Sequence, residues 1–360
     1  MIRRRFVVAL TLVLLLVAAL VWLSVPDLEQ VSQTESADIA AIVDGILTLQ
    51  ARDAAGQHRP LARGTHAKGV CARAEFEVFD IMANVPDRTL ATRLARGLYA
   101  TPGRYPATLR FANADSNINN DSKPDVRALS FAVEPSGGAR QDFSTNDRPT
   151  FPINDAHAFA TTIKVVTAPT MAQGVWSLPF KDKLSFARTA VLGQRQEHQA
   201  MLAYQRRRYW STVPFRHGPT DVIKYSATPC AGNPAGDLER YDPNTLQDEL
   251  VRHLETDSVM SCFDFGLQFL DTQAMTYWGK RRSANFWIEN ASVEWKESQA
   301  PFHTVGRLTL IPKSQIPPAT CEAWHIDVTE NSTPDTTPLG SINRARWPAE
   351  AASRKARLGK

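Results

Sequence analysis

His66 is the residue of this 360-residue chain best suited to proton chemistry, because an imidazole exchanges a proton near neutral pH. It stands in Gly64-Thr65-His66-Ala67-Lys68-Gly69, and the run Phe76-Glu77-Val78-Phe79 that follows alternates like a strand. Three further segments mix polar and aromatic residues in the same way. They are Leu109-Arg110-Phe111, then Pro124-Asp125-Val126-Arg127-Ala128-Leu129-Ser130-Phe131, then Asn146-Asp147-Arg148-Pro149-Thr150-Phe151-Pro152-Ile153-Asn154-Asp155 with Phe159 just beyond. Asn146 lies in a stretch whose composition makes a turn. Near the C-terminus Arg346 precedes Glu350 by four residues, with Pro348 between them. Cys71, Cys230, Cys262 and Cys321 lack metal-ligand spacing, so a zinc site has no support. One or two disulfides, in three full connectivities, and four thiols all remain open.

The elements that must position these residues change character along the chain. Ile39, Ile42, Val43, Ile46 and Leu47 recur at helical spacing and predict a helix over Ala37–Ala51. From Arg63 to Val133 short apolar runs, Phe76–Phe79, Thr108–Phe111 and Ala128–Val133, alternate with Pro, Gly, Asn and Asp, the punctuation of antiparallel strands. Ala114–Lys123 is a loop by composition. Helical patterning returns over Lys181–Arg206, followed by expected strands at Asp221–Ser226, Phe263–Phe269, Ala284–Trp295 and Gly306–Ile311. Pro338–Arg346 reads as a turn entering a last helix. No internal repeat divides the chain.

The net charge of +4 is mild, and the basic clusters at Arg3–Arg5, Arg206–Arg208 and Arg354, Lys355, Arg357 and Lys360 are scattered, which excludes a nucleic-acid footprint. The tail cluster reads as a solvated end. Arg3-Arg4-Arg5 precedes an uncharged apolar run from Phe6 to Leu23, long enough to cross a bilayer as a helix. A cleaved signal peptide is the alternative, but no small-residue cleavage site follows the run. The expected division is an anchor over 1–29, a spacer and helix over 30–62, and one domain over 63–360. The positive-inside tendency sends that domain outside, to the periplasm in a Gram-negative host.

Taken together and in order, the four segments resemble the haem catalase superfamily, its compact members most of all. The resemblance runs from about Gly64 to Arg346, with weaker echoes in Tyr209–Arg216, Lys224-Tyr225 and Val305–Leu308. It implies an α+β fold: an antiparallel β-barrel of the catalase-like type with helical insertions and a C-terminal helix, here preceded by the N-terminal transmembrane helix. It also implies haem b with its iron, and a peroxide or lipid hydroperoxide substrate. His66 matches the distal histidine that moves a proton between the two peroxide oxygens, and Asn146 the distal asparagine that hydrogen-bonds the peroxide. Arg110 matches a partner of a haem propionate. Phe151 and Phe159 match aromatics that wall the macrocycle, and Asp125 and Arg127 the access path and haem edge.

Three departures change the reading. Thr65 stands where catalases usually carry Val, as in the hydroperoxide-rearranging branch, and its hydroxyl is placed to steady the histidine. Ala112 replaces a serine after Arg-Phe. The family's iron ligand, a tyrosine four residues after an arginine, falls on Glu350 after Arg346, and no tyrosine follows Tyr277. Glu350 can offer a carboxylate oxygen to ferric iron, kept ionised by Arg346; His303 and His325 are the other candidates. Pro348 is tolerated only in the first turn of its helix. The functional expectation is a haem-dependent peroxidase or catalase-like enzyme. The alternatives are a lipid-hydroperoxide-rearranging enzyme and a degenerate protein that binds haem or another ligand without turnover. An oligomer is compatible with either.

Overall fold

A computed structural model describes residues 28–135, 137–197, 202–234, 238, 243–333 and 335–359. The expected N-terminal anchor lies outside these residues. Among the described residues no helix is long and apolar enough to cross a membrane.

The strands are β1 (Gly69–Val78), β2 (Gly103–Asn113), β3 (Arg127–Val133), β4 (Gln141–Asn146), β5 (Tyr209–Trp210), β6 (Phe215–His217), β7 (Asp221–Pro229), β8 (Cys262–Phe269), β9 (Thr276–Tyr277), β10 (Lys280–Arg281) and β11 (Phe302–Ile316). One antiparallel sheet runs β5-β4-β3-β2-β1-β11-β8-β7-β6, and β5 also pairs with β7. That last pairing closes eight of the strands into a barrel and leaves β6 beside β7. Closure removes the sheet edges that would otherwise invite pairing with another chain. The seam is short: Trp210 faces Asn146 of β4 on one side and Ser226 of β7 on the other.

Strand alternation sorts the side chains into two sets. Leu109, Phe111, Leu129, Phe131 and Phe143 enter the core with Phe76, Tyr225, Phe263 and Phe265, and Phe131 stacks on Phe143 with ring centroids 4.6 Å apart. Their neighbours Arg110, Ala112, Ser130, Ser144 and Asn146 point the other way, and register aligns them into two rows. Arg110 faces Ser130, which faces Ser144; Ala112 faces Ala128, which faces Asn146. A slip of one residue would exchange Arg110 for Phe111, so burial of the aromatics also sets the polar face.

Three helices cover that face. The helix predicted over Ala37–Ala51 extends over Glu35–Gly56 and packs Ile42 and Ile46 against Ala156, Ala160 and Ile163 of the helix Ala156–Thr167 and Ala345 and Ala349 of the helix Ser341–Leu358. Gly45 permits the approach, since a Cβ there would lie 1.8 Å from Ile163 Cγ2. Arg344 pins the assembly: it donates to Glu35 Oε1 at 2.5 Å and Glu289 Oε2 at 3.0 Å and also to Glu29, and these carboxylates raise its already high pKa against the cost of burial. Both disulfides form, Cys71–Cys321 and Cys230–Cys262, which resolves the choice among pairings and free thiols.

Two expectations fail. Ala284–Trp295 was expected as a strand, but Ala284–Glu289 is a helix with the Ser283 hydroxyl accepting from Phe286 N, followed by irregular chain. A short apolar run has no periodicity that separates the two states, and here a serine N-cap and burial of Trp287 and Ile288 decide for the helix. Pro348 is not in the first turn; it sits inside the helix that begins at Ser341, where it removes one intrahelical hydrogen bond. Neighbouring Ala345 and Ala349 are buried against the helix Glu35–Gly56, so tertiary packing holds the helix through the proline.

Lys224 of β7 is fully enclosed, its Nζ without a hydrogen-bond partner and 4.9 Å from the Trp295 ring centroid. Burial pulls its pKa down to about 7, opposed by Glu294. The unfolded chain therefore binds the extra proton between pH 7 and 10.5, and stability rises with pH across that window. Lys224→Met is expected to stabilise the fold by roughly 1–3 kcal/mol at pH 7 and to abolish that rise. Denaturant unfolding of the two proteins at pH 7 and pH 10 checks this, and an unchanged slope refutes it.

Candidate active site

The hexapeptide around His66 is held on both sides of Thr65, which is itself exposed. Gly64 N donates to Ser353 Oγ at 3.0 Å, and a Cβ on Gly64 would meet Ile46 Cγ2 at 2.7 Å. His66 N and Ala67 N donate to the carbonyls of Ala114 and Asp115, which fastens the turn to the Asn/Asp-rich loop beside it. Lys68 donates from a buried site to Asp121 Oδ1 at 2.7 Å and Asn119 O at 3.0 Å, and Asn113 and Leu246 N donate to the same aspartate. Arg110 reaches under the turn and donates to His66 O at 2.9 Å. Gly69 leaves it room: a Cβ there would stand 2.5 Å from Arg110 Cζ and 2.6 Å from Phe111 O. Gly69→Ala is expected to cost at least about 2 kcal/mol and to displace the His66 turn; an unchanged melting temperature would count against this account.

His66 itself adopts φ +57°, the left-handed region that non-glycine residues visit rarely, at a cost of about 1–3 kcal/mol. The surrounding hydrogen bonds enforce that conformation and turn the imidazole to a cavity of about 550 Å³, within the range of about 300–1,000 Å³ usual for small-molecule sites. Burial, with the charges of Arg110, Arg346 and Arg63 added, pulls the imidazole down to about 3. It is therefore neutral throughout the physiological range. Nδ1 has no hydrogen-bond partner, so the Thr65 hydroxyl does not hold it as expected.

The cavity lies between the polar rows of β2, β3 and β4 and the covering helices. Thr65, His66, Arg110, Asp125, Asn146, Phe151, Phe159, Arg346 and Glu350 all line it, although they span nearly the whole described chain. Asn146 stands at the end of β4 with Oδ1 buried and without a partner. Phe151 and Phe159 meet edge to face, centroids 6.2 Å apart. Burial raises Asp125 to about 6, against the pull of Asp115 N, which donates to it, and of Arg127. Arg127, expected at the same edge, is not on the wall; it sits behind, 3.4 Å from Asp125, donating to Asp121 O and Lys123 O.

On the C-terminal helix Arg346 Nε lies 3.5 Å from Glu350 Oε1, and Arg346 Nη1 is buried without a partner. Burial pushes the Glu350 carboxyl up to about 7, Asp327 adding to the rise while Arg346 and Arg63 oppose it. The part of Glu350 that is not covered by protein opens on the cavity, so in a filled site its solvation would be set by the occupant. His325 lines the cavity too, whereas His303 lies on β11 beside Phe269 and does not.

The basic tail predicts solvated arginines, yet Arg354 and Arg357 both line the cavity, and so does Arg63. They lie four and seven residues after Glu350, a helical spacing that continues its face, and this was the available signal. Arg357 pairs with Glu322 at 3.0 Å and Arg354 with Asp327 at 3.5 Å. Lys355 is exposed as expected. Six cationic side chains, Arg63, Arg110, Lys123, Arg346, Arg354 and Arg357, line the cavity against three carboxylates, Asp115, Asp125 and Glu350. Arg354 and Arg357 are paired with Asp327 and Glu322 behind the wall, so the excess of positive charge toward an occupant is small. Among the described residues no cluster of His, Cys, Asp and Glu is arranged to hold a metal ion alone.

A search of solved structures returns catalases. The chain superposes on a fungal catalase at 15% identity and TM-score 0.64, covering 86% of this chain and 61% of that one. Catalase A from Saccharomyces cerevisiae matches at 16% identity and TM-score 0.62, covering 86% and 63%, and a bacterial catalase at 17% and 0.60, covering 87% and 60%. No protein-family profile and no curated sequence matches the chain. The protein thus has the catalase-like fold, a closed eight-stranded antiparallel barrel with helical additions. It spans about three fifths of the length of the catalases it resembles.

Proposed function

We propose that this protein is a haem-dependent, catalase-like enzyme acting on hydrogen peroxide or organic hydroperoxides. The observation that carries the reading is the convergence on one cavity of His66, Asn146, Arg346 and Glu350, a proton-transfer group, an amide, a cation and a carboxylate from three separate segments of the chain. A few convergent polar and charged side chains on a partly apolar cavity are the arrangement of a small-molecule site. Haem b fits the residues present. Phe151 and Phe159 supply apolar wall, the arginines suit its carboxylates, and Glu350 offers the hard oxygen donor that ferric iron accepts. Bound haem would supply the redox chemistry of O–O cleavage.

The protein's own part is proton handling. Neutral His66 accepts the proton of the hydroperoxide and returns it to the departing oxygen, which makes that oxygen a better leaving group. Asn146 orients the substrate through its amide. Ala112 cannot offer a hydroxyl to this site, but Ser130 and Ser144 on the adjoining strands do. Two disulfides favour an oxidising compartment. With the apolar run Phe6–Leu23 they support an anchored protein whose domain faces outward, where membrane lipid hydroperoxides would be within reach.

The missing phenolate favours a second reading, in which the cavity binds haem or another anionic apolar ligand without turnover. The visible spectrum of the full chain, expressed with added haem and purified in detergent, tests the first. A stoichiometric Soret band followed by peroxide consumption is the expected result. A band without consumption selects the second reading, and no band removes the haem proposal.

A further inference from the structure

The hairpin β9–β10 breaks a local rule without an evident packing gain. Tyr277 pairs with Lys280, so Trp278 and Gly279 form a two-residue turn, and both have positive φ, +52° and +73°. Turns of this kind favour Asn-Gly because only small or locally bonding residues enter the left-handed region at low cost. A tryptophan there is strained, and it is 88% exposed, the most exposed of the large hydrophobic residues described. Tyr277 stacks beneath it with centroids 5.4 Å apart and an interplanar angle of 12°, which stiffens the ring in its projecting position. Places where a sequence contradicts its local structure are candidates for function.

The charges beside the ring are of one sign. Lys280, Arg281 and Arg282 follow directly, all exposed, and among the described residues no carboxylate pairs with them. Arg281 donates to Gln273, and Arg282 lies over the Phe286 ring at 5.3 Å. The nearest acid along the hairpin, Asp271, is engaged by the backbone amides of Gln273 and Ala274. An indole with flanking cations is the side-chain set that lodges at the interface of an anionic bilayer.

The position of the chain start names the occupant. Leu28, the first described residue, packs in the same apolar cluster as Tyr277 and Phe286, and Gln30 N donates to Glu289 of the adjoining helix. Leu28 follows Leu23, the end of the apolar run, by only five residues. A membrane that holds that run must therefore lie within a short reach of the hairpin. We propose that the Trp278 tip and Lys280–Arg282 dock on the anionic lipid surface beside the N-terminal anchor, setting the orientation of the domain on the membrane. This rests on the anchored topology proposed above.

The test uses the full chain in vesicles containing lipid brominated along the acyl chain, with about one third anionic phosphatidylglycerol. Comparison with Trp278→Phe isolates the fluorescence of the tip, and comparison with Trp22→Phe isolates that of the apolar run. Quenching of both is expected. Quenching of Trp278 should fall at least about twofold in zwitterionic vesicles, at high salt, or in the double variant Lys280→Glu, Arg281→Glu, while Trp22 stays quenched throughout. Trp22 quenched with Trp278 unquenched overturns the docking and keeps the anchor. Trp278 quenched with Trp22 unquenched keeps the docking and overturns the anchor. Quenching of neither overturns both. A Trp278 emission that responds to protein concentration and not to bromolipid assigns the tip to a second copy of the chain and overturns the proposal.

Discussion

His66→Ala lowers peroxide consumption by the haem-loaded protein about 10²–10⁴-fold, the usual contribution of a positioned general acid–base, and leaves the Soret band in place. The substitution deletes an imidazole whose hydrogen-bonding atom Nδ1 is unused by the fold, so the barrel has little reason to respond. Stopped-flow rates beside the spectrum check it; a rate within threefold of the parent, roughly 0.6 kcal/mol in barrier, would remove His66 from the mechanism. The pH dependence sharpens the test. Because burial and three arginines hold the folded imidazole near 3, it stays neutral across mildly acid pH, and the parent rate should show no inflection at the ordinary histidine value of 6.5. The sign for stability follows: below pH 6.5 the unfolded chain binds a proton that the folded site refuses, so this histidine destabilises the fold as pH falls from 6.5 toward 3.

Glu350→Tyr is expected to tighten haem retention and to raise peroxide turnover by at least about tenfold, because a phenolate is the stronger electron donor to iron and its electronics tune the reaction. Arg346 already stands one helical turn before that position to hold the anion. Glu350→Ala, in contrast, should lose most of the Soret intensity. Titration of haem into the three proteins separates the readings. A gain in both colour and rate with tyrosine supports a weak carboxylate ligand, and a gain in neither marks a pocket that no longer serves haem. If Glu350→Ala binds haem as the parent does, Glu350 is not the ligand.

The lead helix was legible because Ile42 and Ile46 repeat at helical spacing and bury together, and β7, β8 and β11 because their apolar runs are long and bounded. The segment Ala284–Glu289 was not, since a short apolar run is equally compatible with a buried strand and a buried helix. Arg354 and Arg357 were hidden by position: a basic tail on a chain is usually solvated, and only the docking of the last helix over β2, β3 and β4 turns its face inward. Arg127 failed for the converse reason. Its place beside Asp125 suggested the cavity edge, but the loop Ala114–Lys123 offered its carbonyls first, and the guanidinium went to them.

Asn146, in a stretch whose composition makes a turn, ends a strand only in the folded barrel, whereas by itself the sequence determined the order of the polar segments, the strand around Arg110 and the absence of a tyrosine after Tyr277. These depend on local chemistry and on period, which a linear chain carries in full. Tertiary structure alone decided that His66, Asn146, Arg346 and Glu350 share one cavity, which cysteines pair, and that the C-terminal arginines are walls of a site and not solvated charge. The physical reason is that burial and electrostatic environment belong to the assembled barrel and its helices. The same imidazole that would titrate near 6.5 in a free chain is held near 3 here by low solvent access and by arginines brought from Arg63 to Arg346.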